Sequence, residues 1–221
     1  VTHANIGGGK TDGVIDDNIT IESSLRNDGR IENLVTIERT HHGLVSSTFS
    51  GANNVSFTRI FVPRGSELLS VTGANPPAPE LFESAVGLDL DKDIERIENT
   101  RIDESTGTLI ADGFGKTSFG NWIQTRPGTS SSLTFRYILP NDILDESRDD
   151  FVTKMKTFVG IPETVQHSML IQAQSGVEYR ETHYTFHSGE LRPLWSTEDT
   201  VSQYHQTENV DGFFGMILER P

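Results

Sequence analysis

From Phe119 to Pro140 the chain alternates. After a Pro127-Gly128 turn, Leu133, Phe135, Tyr137 and Leu139 are apolar, while Thr134 and Arg136 between them are polar. Successive side chains of a strand point to opposite faces, so period two puts one face in a core and the other in water. The pattern recurs along the chain. Ile15, Ile19, Ile21 and Leu25 alternate with polar residues, Asn27-Asp28-Gly29 supplies a turn, and Ile31, Val35 and Ile37 continue, so 14–40 reads as a hairpin. A strand over 57–62 turns at Pro63-Arg64-Gly65 and returns over 68–71. Further strands are expected at 98–103 and 108–112, in a hairpin over 119–139, and at 151–159, 168–174, 177–187, 200–206 and 213–218.

About a dozen short strands with turn residues between them, and no long helical pattern, predict an all-β protein, an antiparallel β-sandwich. Residues 1–13, with Gly7-Gly8-Gly9 inside them, read as an extended amino-terminal arm. The sandwich would occupy 14–221, with a division into two packed sheet modules open near the acidic stretch 141–150. Asn75-Pro76-Pro77-Ala78-Pro79 cannot lie inside a sheet, because proline removes ladder donors. Residues 80–96 fit either a short helix, with Leu81, Ala85, Leu88 and Ile94 on one side, or an acidic loop.

A chain of 221 residues buries enough surface to hold its own core. The hydrophobic fraction of 34% is low, as expected where half of every strand faces water. The net charge of −14 repels phosphate backbones and anionic lipid, which argues against nucleic acid as a partner. With no cysteine, disulfides, thiolate metal sites and cysteine nucleophiles are excluded. No apolar run is long enough to span a membrane as a helix. The sequence starts at Val1 rather than Met, which suggests a processed or excised product whose leader or anchor has gone.

No nucleophile elbow and no His-Glu-x-x-His zinc motif is present, and the expectation is a non-enzymatic protein with no cofactor beyond, at most, calcium. Residues 4–11 match a permissive phosphate-loop spacing ending in Gly9-Lys10-Thr11, but only three residues precede them and a strand follows, where a phosphate site needs a helix. Asp89, Asp91 and Asp93 are the candidate calcium ligands, since Ca2+ takes several hard oxygens. An EF-hand would need Gly and Glu where Ile94 and Thr100 stand, and the plain alternative is a solvated acidic loop. His183 and His187 lie on one side of a strand but about 13 Å apart, too far to share an ion. Trp122, Trp195, Tyr179, Tyr184 and Tyr204 suit a sheet core better than a sugar platform. Asn18-Ile19-Thr20 and Asn54-Val55-Ser56 match the N-glycosylation acceptor, which makes Asn18 and Asn54 candidate glycan sites in an extracytoplasmic setting.

Several runs, in order, resemble one family. Residues 4–12 and 62–73 resemble the entry to the carboxy-terminal β region of the bacterial and archaeal surface proteins catalogued as domain of unknown function 4012. The Phe119-Gly120 … Pro127-Gly128 … Leu133-x-Phe135-x-Tyr137-x-Leu139-Pro140 stretch and Gln172-Ala173-Gln174-Ser175-Gly176 are similar to runs of that family. The resemblance covers residues 4 to about 176. It implies a prokaryotic cell-surface or extracellular protein, attached in the family through an amino-terminal membrane segment, and it carries over no catalytic residue. With the arm and the apolar strand at 213–218, this gives the expectation of a structural building block. Its partners would be copies of itself, joined by strand exchange into filaments, or cell-envelope components. The rival expectation is a carbohydrate-binding or adhesion module whose partners are glycans.

Overall fold

A computed structural model describes residues 1–6, 11–82, 89, 91–142, 164–171, 180–197, 203–206 and 211–219. Every long element in it is a strand. In chain order these are β1 (Thr2–Asn5), β2 (Ile15–Leu25), β3 (Arg30–His41), β4 (Asn54–Pro63), β5 (Glu67–Thr72), the helix α1 (Lys92–Glu98), β6 (Arg101–Asp103), β7 (Thr108–Gly113), β8 (Lys116–Thr125), β9 (Ser130–Asp142), β10 (Thr164–Ile171), β11 (Arg180–His187), β12 (Arg192–Ser196), β13 (Gln203–Gln206) and β14 (Gly212–Glu219). They form a five-stranded sheet in the order β1-β4-β8-β7-β6, a six-stranded sheet in the order β13-β11-β2-β3-β9-β5, and a three-stranded sheet in the order β10-β14-β12. The all-β sandwich class holds.

The alternation sets the layers. Along β3, Ile31, Asn33, Val35, Ile37, Arg39 and His41 are buried, and every residue between them is less so. Their inward row meets Leu133, Phe135 and Tyr137 from β9, and Ile60, Val62, Phe119 and Ile123 from the opposing sheet, in one apolar cluster. A second cluster joins Ile31 to Tyr184, Phe186, Leu191, Phe214, Met216 and Leu218. Ile21 and Leu139 pack against both, so one core continues into the other.

Several expectations need correction. The stretch 119–139 is not a hairpin. β8 pairs with β4 and β7, whereas β9 pairs with β3 and β5, so the Pro127-Gly128 turn carries the chain from one sheet to the other. The turn is fastened to the sandwich, since Gly128 N donates to His41 O at 2.8 Å and His41 N donates to Thr129 O at 3.0 Å. The Pro63-Arg64-Gly65 turn does the same, taking β4 of one sheet into β5 of the other. Alternation shows which face of a strand is buried; two faces that meet across the core look the same as two faces side by side in one sheet.

The sheets are also not purely antiparallel. β11 joins β2 in parallel, Arg180 beside Asp17 through to His187 beside Ser24. Through that pairing β11 and its neighbour β13 extend the amino-terminal sheet, while β10, β14 and β12 form the three-stranded sheet. The helix α1 occupies Lys92–Glu98, where a strand was expected to begin at 98, and strand β6 starts at Arg101. The expected strand at 151–159 and most of the proposed boundary at 141–150 lie outside the described residues.

A polar thread crosses the join between the two clusters. Ser23 Oγ donates to Asn33 Oδ1 at 2.6 Å, and Asn33 Nδ2 donates to Tyr137 Oη at 3.1 Å. Burial pushes the Tyr137 phenol up to about 12, against which the Asn33 bond pulls slightly down. Burial also raises Tyr184, whose hydroxyl meets Ser23. A phenol raised in the folded state contributes its full stability below the unfolded value near 10 and loses it as pH rises through the folded value. Stability is therefore expected to fall between about pH 10 and about pH 12, by about 2–3 kcal/mol from Tyr137 alone. Urea midpoints measured across that range check it, and Tyr137→Phe should flatten the fall.

Candidate functional site

At one end of the sandwich the inward rows turn polar, and there the amino-terminal arm is docked. β1 lies antiparallel on β4, with Thr2 beside Arg59 and Asn5 beside Ser56. His3 points inward from it. Its Nδ1 is 2.9 Å from Thr58 Oγ1, and its Nε2 is 3.1 Å from Asp17 Oδ2 on the facing sheet. Asp17 and its cross-strand partner Arg39 are both 2% exposed, and Arg39 Nε donates to Asp17 Oδ1 at 2.9 Å. The other two nitrogens of the guanidinium reach Asn54 Oδ1 at 2.8 Å and Asp12 Oδ1 at 3.4 Å. Asn54 Nδ2 in turn donates to Thr11 Oγ1 and Asp12 Oδ1, both at 2.9 Å. Buried charge is tolerated where it is paired and hydrogen-bonded, and Arg39 meets that condition with three acceptors. It ties together the arm, the turn at 11–14, both long sheets and the start of β4.

These contacts account for residues the sequence singled out for other reasons. Thr11, the last residue of the phosphate-loop pattern, is fully buried and spends its hydroxyl on Asn54 and Asn5; residues 7–10 lie outside the described set. Asn54 has no exposure and both ends of its amide are engaged, so a glycan could be added there only before this network forms. Asn18 is half-buried in the middle of β2.

The three aspartates do not converge among the described residues. Asp91 is the N-cap of α1, its Oδ1 accepting from Asp93 N at 2.9 Å and Ile94 N at 3.2 Å. Asp93 pairs with Arg96 at 3.2 Å, and Asp89 is exposed. Trp122 is held edge-on by Phe57 at 5.0 Å and Phe82 at 5.5 Å, which leaves it a packing residue. Trp195 on β12 is about half exposed, and Tyr184 and Tyr204 pack at the second cluster.

The described residues do contain one cluster of two histidines and a carboxylate, Glu181, His183 and His205. His183 on β11 sits directly opposite His205 on β13, and Glu181 lies two positions before it on the same face. His187 stands further along β11, 3.9 Å from Glu22 and outside this cluster. A depression among the described residues is lined by Glu67, Arg101, Asp103, Asp112 and Thr117. Its charges are already committed. Asp112 accepts from Thr117 at 2.5 Å and from Arg101 at 3.3 Å, and the Thr117 hydroxyl holds its carboxyl below the ordinary range. No described helix is long and apolar enough to cross a membrane.

No family model and no curated protein sequence matches the chain. Among solved structures, an M1 zinc metallopeptidase from Deinococcus radiodurans overlaps 93% of the chain at 8% identity and a TM-score of 0.29. A variant of that peptidase bound to a Tyr-Ser-Ala substrate gives 10% identity and 0.31. The chain spans 42% of the length of either peptidase chain. An acetylcholine-binding protein from Biomphalaria glabrata overlaps 93% of the chain and 87% of its own, at 10% identity and a TM-score of 0.24. Overlaps this loose place no constraint on what the chain does.

Proposed function

We propose that the chain is a non-enzymatic, extracytoplasmic structural protein, a cell-surface or extracellular building block. Copies would join by strand exchange at the β1–β4 edge. One observation carries the reading. β1 is a four-residue edge strand with its own buried anchor, His3, and it reaches the rest of the chain through the glycine-rich stretch around 7–9. The acceptor groove consists of the β4 edge, Thr58 and Asp17. A β1 strand from a second copy offers it the same main-chain bonds and the same imidazole, so exchange costs no contact. The charge of −14 keeps such copies soluble until a specific edge contact forms.

Cysteine substitution tests this cleanly, because the chain has no cysteine of its own. Thr2 and Arg59 are direct cross-strand partners, and such residues have Cβ atoms about 5 Å apart. The double variant Thr2→Cys/Arg59→Cys should form an internal disulfide under oxidation. A mixture of the two single variants should form a disulfide-linked dimer, seen on a non-reducing gel, only if β1 passes between copies. An internal disulfide in the double variant with no mixed dimer, even at high concentration, would rule out exchange.

A further inference from the structure

We propose that Glu181, His183 and His205 form a binding site for a divalent transition metal of the zinc class on the outer face of the six-stranded sheet. The backbone brings these residues together. Antiparallel pairing of β11 with β13 sets His183 directly across from His205. Their rings stack at 4.3 Å between centroids and 11° between planes. Glu181 Oε1 lies 2.8 Å from His205 Nε2 and 3.6 Å from His183 Nε2. One donor atom from each of the three residues falls within 4.8 Å of the others. A small inward rotation of the two imidazoles would place all three donors around one ion.

The donor chemistry selects the metal. Two imidazoles and one carboxylate suit Zn2+, Cu2+ or Ni2+, whereas Ca2+ and Mg2+ require an oxygen shell. Three protein ligands leave a fourth tetrahedral position open to water. The site is reachable from solvent, with side chains 27%, 42% and 48% exposed for Glu181, His183 and His205. The charge of −14 raises the local concentration of any cation. A second observation lies beside it. The parallel ladder pairs Asn18 with Glu181, and the buried Asn18 Oδ1 has no hydrogen-bond partner. A metal-bound water is a donor of the kind that this oxygen lacks.

The consequence is structural. β13 is a four-residue edge strand, and a metal bridging it to β11 would staple the edge of the sheet. The test uses the untagged chain stripped with a chelator. Calorimetric titration with zinc chloride should show one equivalent bound, with a rise in melting temperature, and Co2+ should give the visible absorption of a tetrahedral site. His183→Ala and His205→Ala should each abolish both effects, and the melting temperature of each variant should be the same with and without zinc. Glu181→Gln should weaken binding, and His187→Ala should leave it intact. Ca2+ at equal concentration should not reproduce the shift. Absence of zinc binding to the folded chain would overturn the assignment. So would zinc binding that survives in the His183→Ala/His205→Ala variant.

Discussion

An Arg39→Met variant is expected to lose about 3–5 kcal/mol in urea titration, because removing one partner of a buried ion pair leaves the other charge uncompensated. The residue left behind is Asp17, 2% exposed and surrounded by the sandwich interior. Its remaining neighbour in the network is His3, 3.1 Å away on a strand of only four residues. The same substitution also strips Asn54 Oδ1 of its 2.8 Å donor and Asp12 of one of its contacts. Lysine would not substitute for arginine here. The planar guanidinium reaches three acceptors on three segments at once, and an ammonium group has no fork. Against a typical total stability of about 5–15 kcal/mol, the loss is large enough to populate the unfolded chain at modest denaturant. The companion measurement is Asp17→Asn/Arg39→Met. Removing both charges should cost much less than the sum of the single changes, and the surplus is the coupling of the pair. If Arg39→Met alone were neutral, the pair would not hold the arm end of the sandwich.

The Asp17–Arg39 pair was within reach of the sequence. The hairpin turn at Asn27-Asp28-Gly29 sets a register in which positions 17 and 39 lie opposite each other. Both also fall on the inward parity, between Ile15 and Ile19 on one strand and between Ile37 and His41 on the other. A charged residue on the buried parity of two neighbouring strands, opposite in sign and opposite in register, signals a buried pair. The strands themselves were legible from alternation, as β2, β3, β4, β5, β7, β8 and β9 illustrate. Strand partnership was not, because β8 and β9 follow one another with a tight turn and still enter different sheets. The strands β1 and β12 gave no signal, being short and largely polar or interrupted by Pro193. The pairing of His183 with His205 could not be read either. The connection between β11 and β13 contains another strand, β12, which belongs to a different sheet, so no turn sets their register.

Phe119→Ala should cost about 3–5 kcal/mol, while Phe114→Ala, five positions earlier, should change stability by less than about 0.5 kcal/mol. The two residues are chemically identical and lie in the same hairpin, so the comparison isolates position. Phe114 is at the tip, 89% exposed, with its backbone at φ +53°. Truncating it removes almost no buried surface. Phe119 has no exposed surface and sits in β8 between Ile60 of β4 and Ile110 of β7. Across the layer its ring meets Tyr137 of β9 at 5.6 Å between centroids. A ring removed there leaves a void between two sheets that are each fixed by their own ladders, and neither can collapse far to fill it. The void would also expose Tyr137, whose phenol is raised to about 12 by its burial. Wetting the void brings that value back toward 10 and weakens the fall in stability at high pH. Two readouts therefore move together for Phe119→Ala: a lower urea midpoint at neutral pH and a shallower loss of stability in base. A Phe119→Ala variant that matched Phe114→Ala in both would mean that the sheets do not meet at this ring.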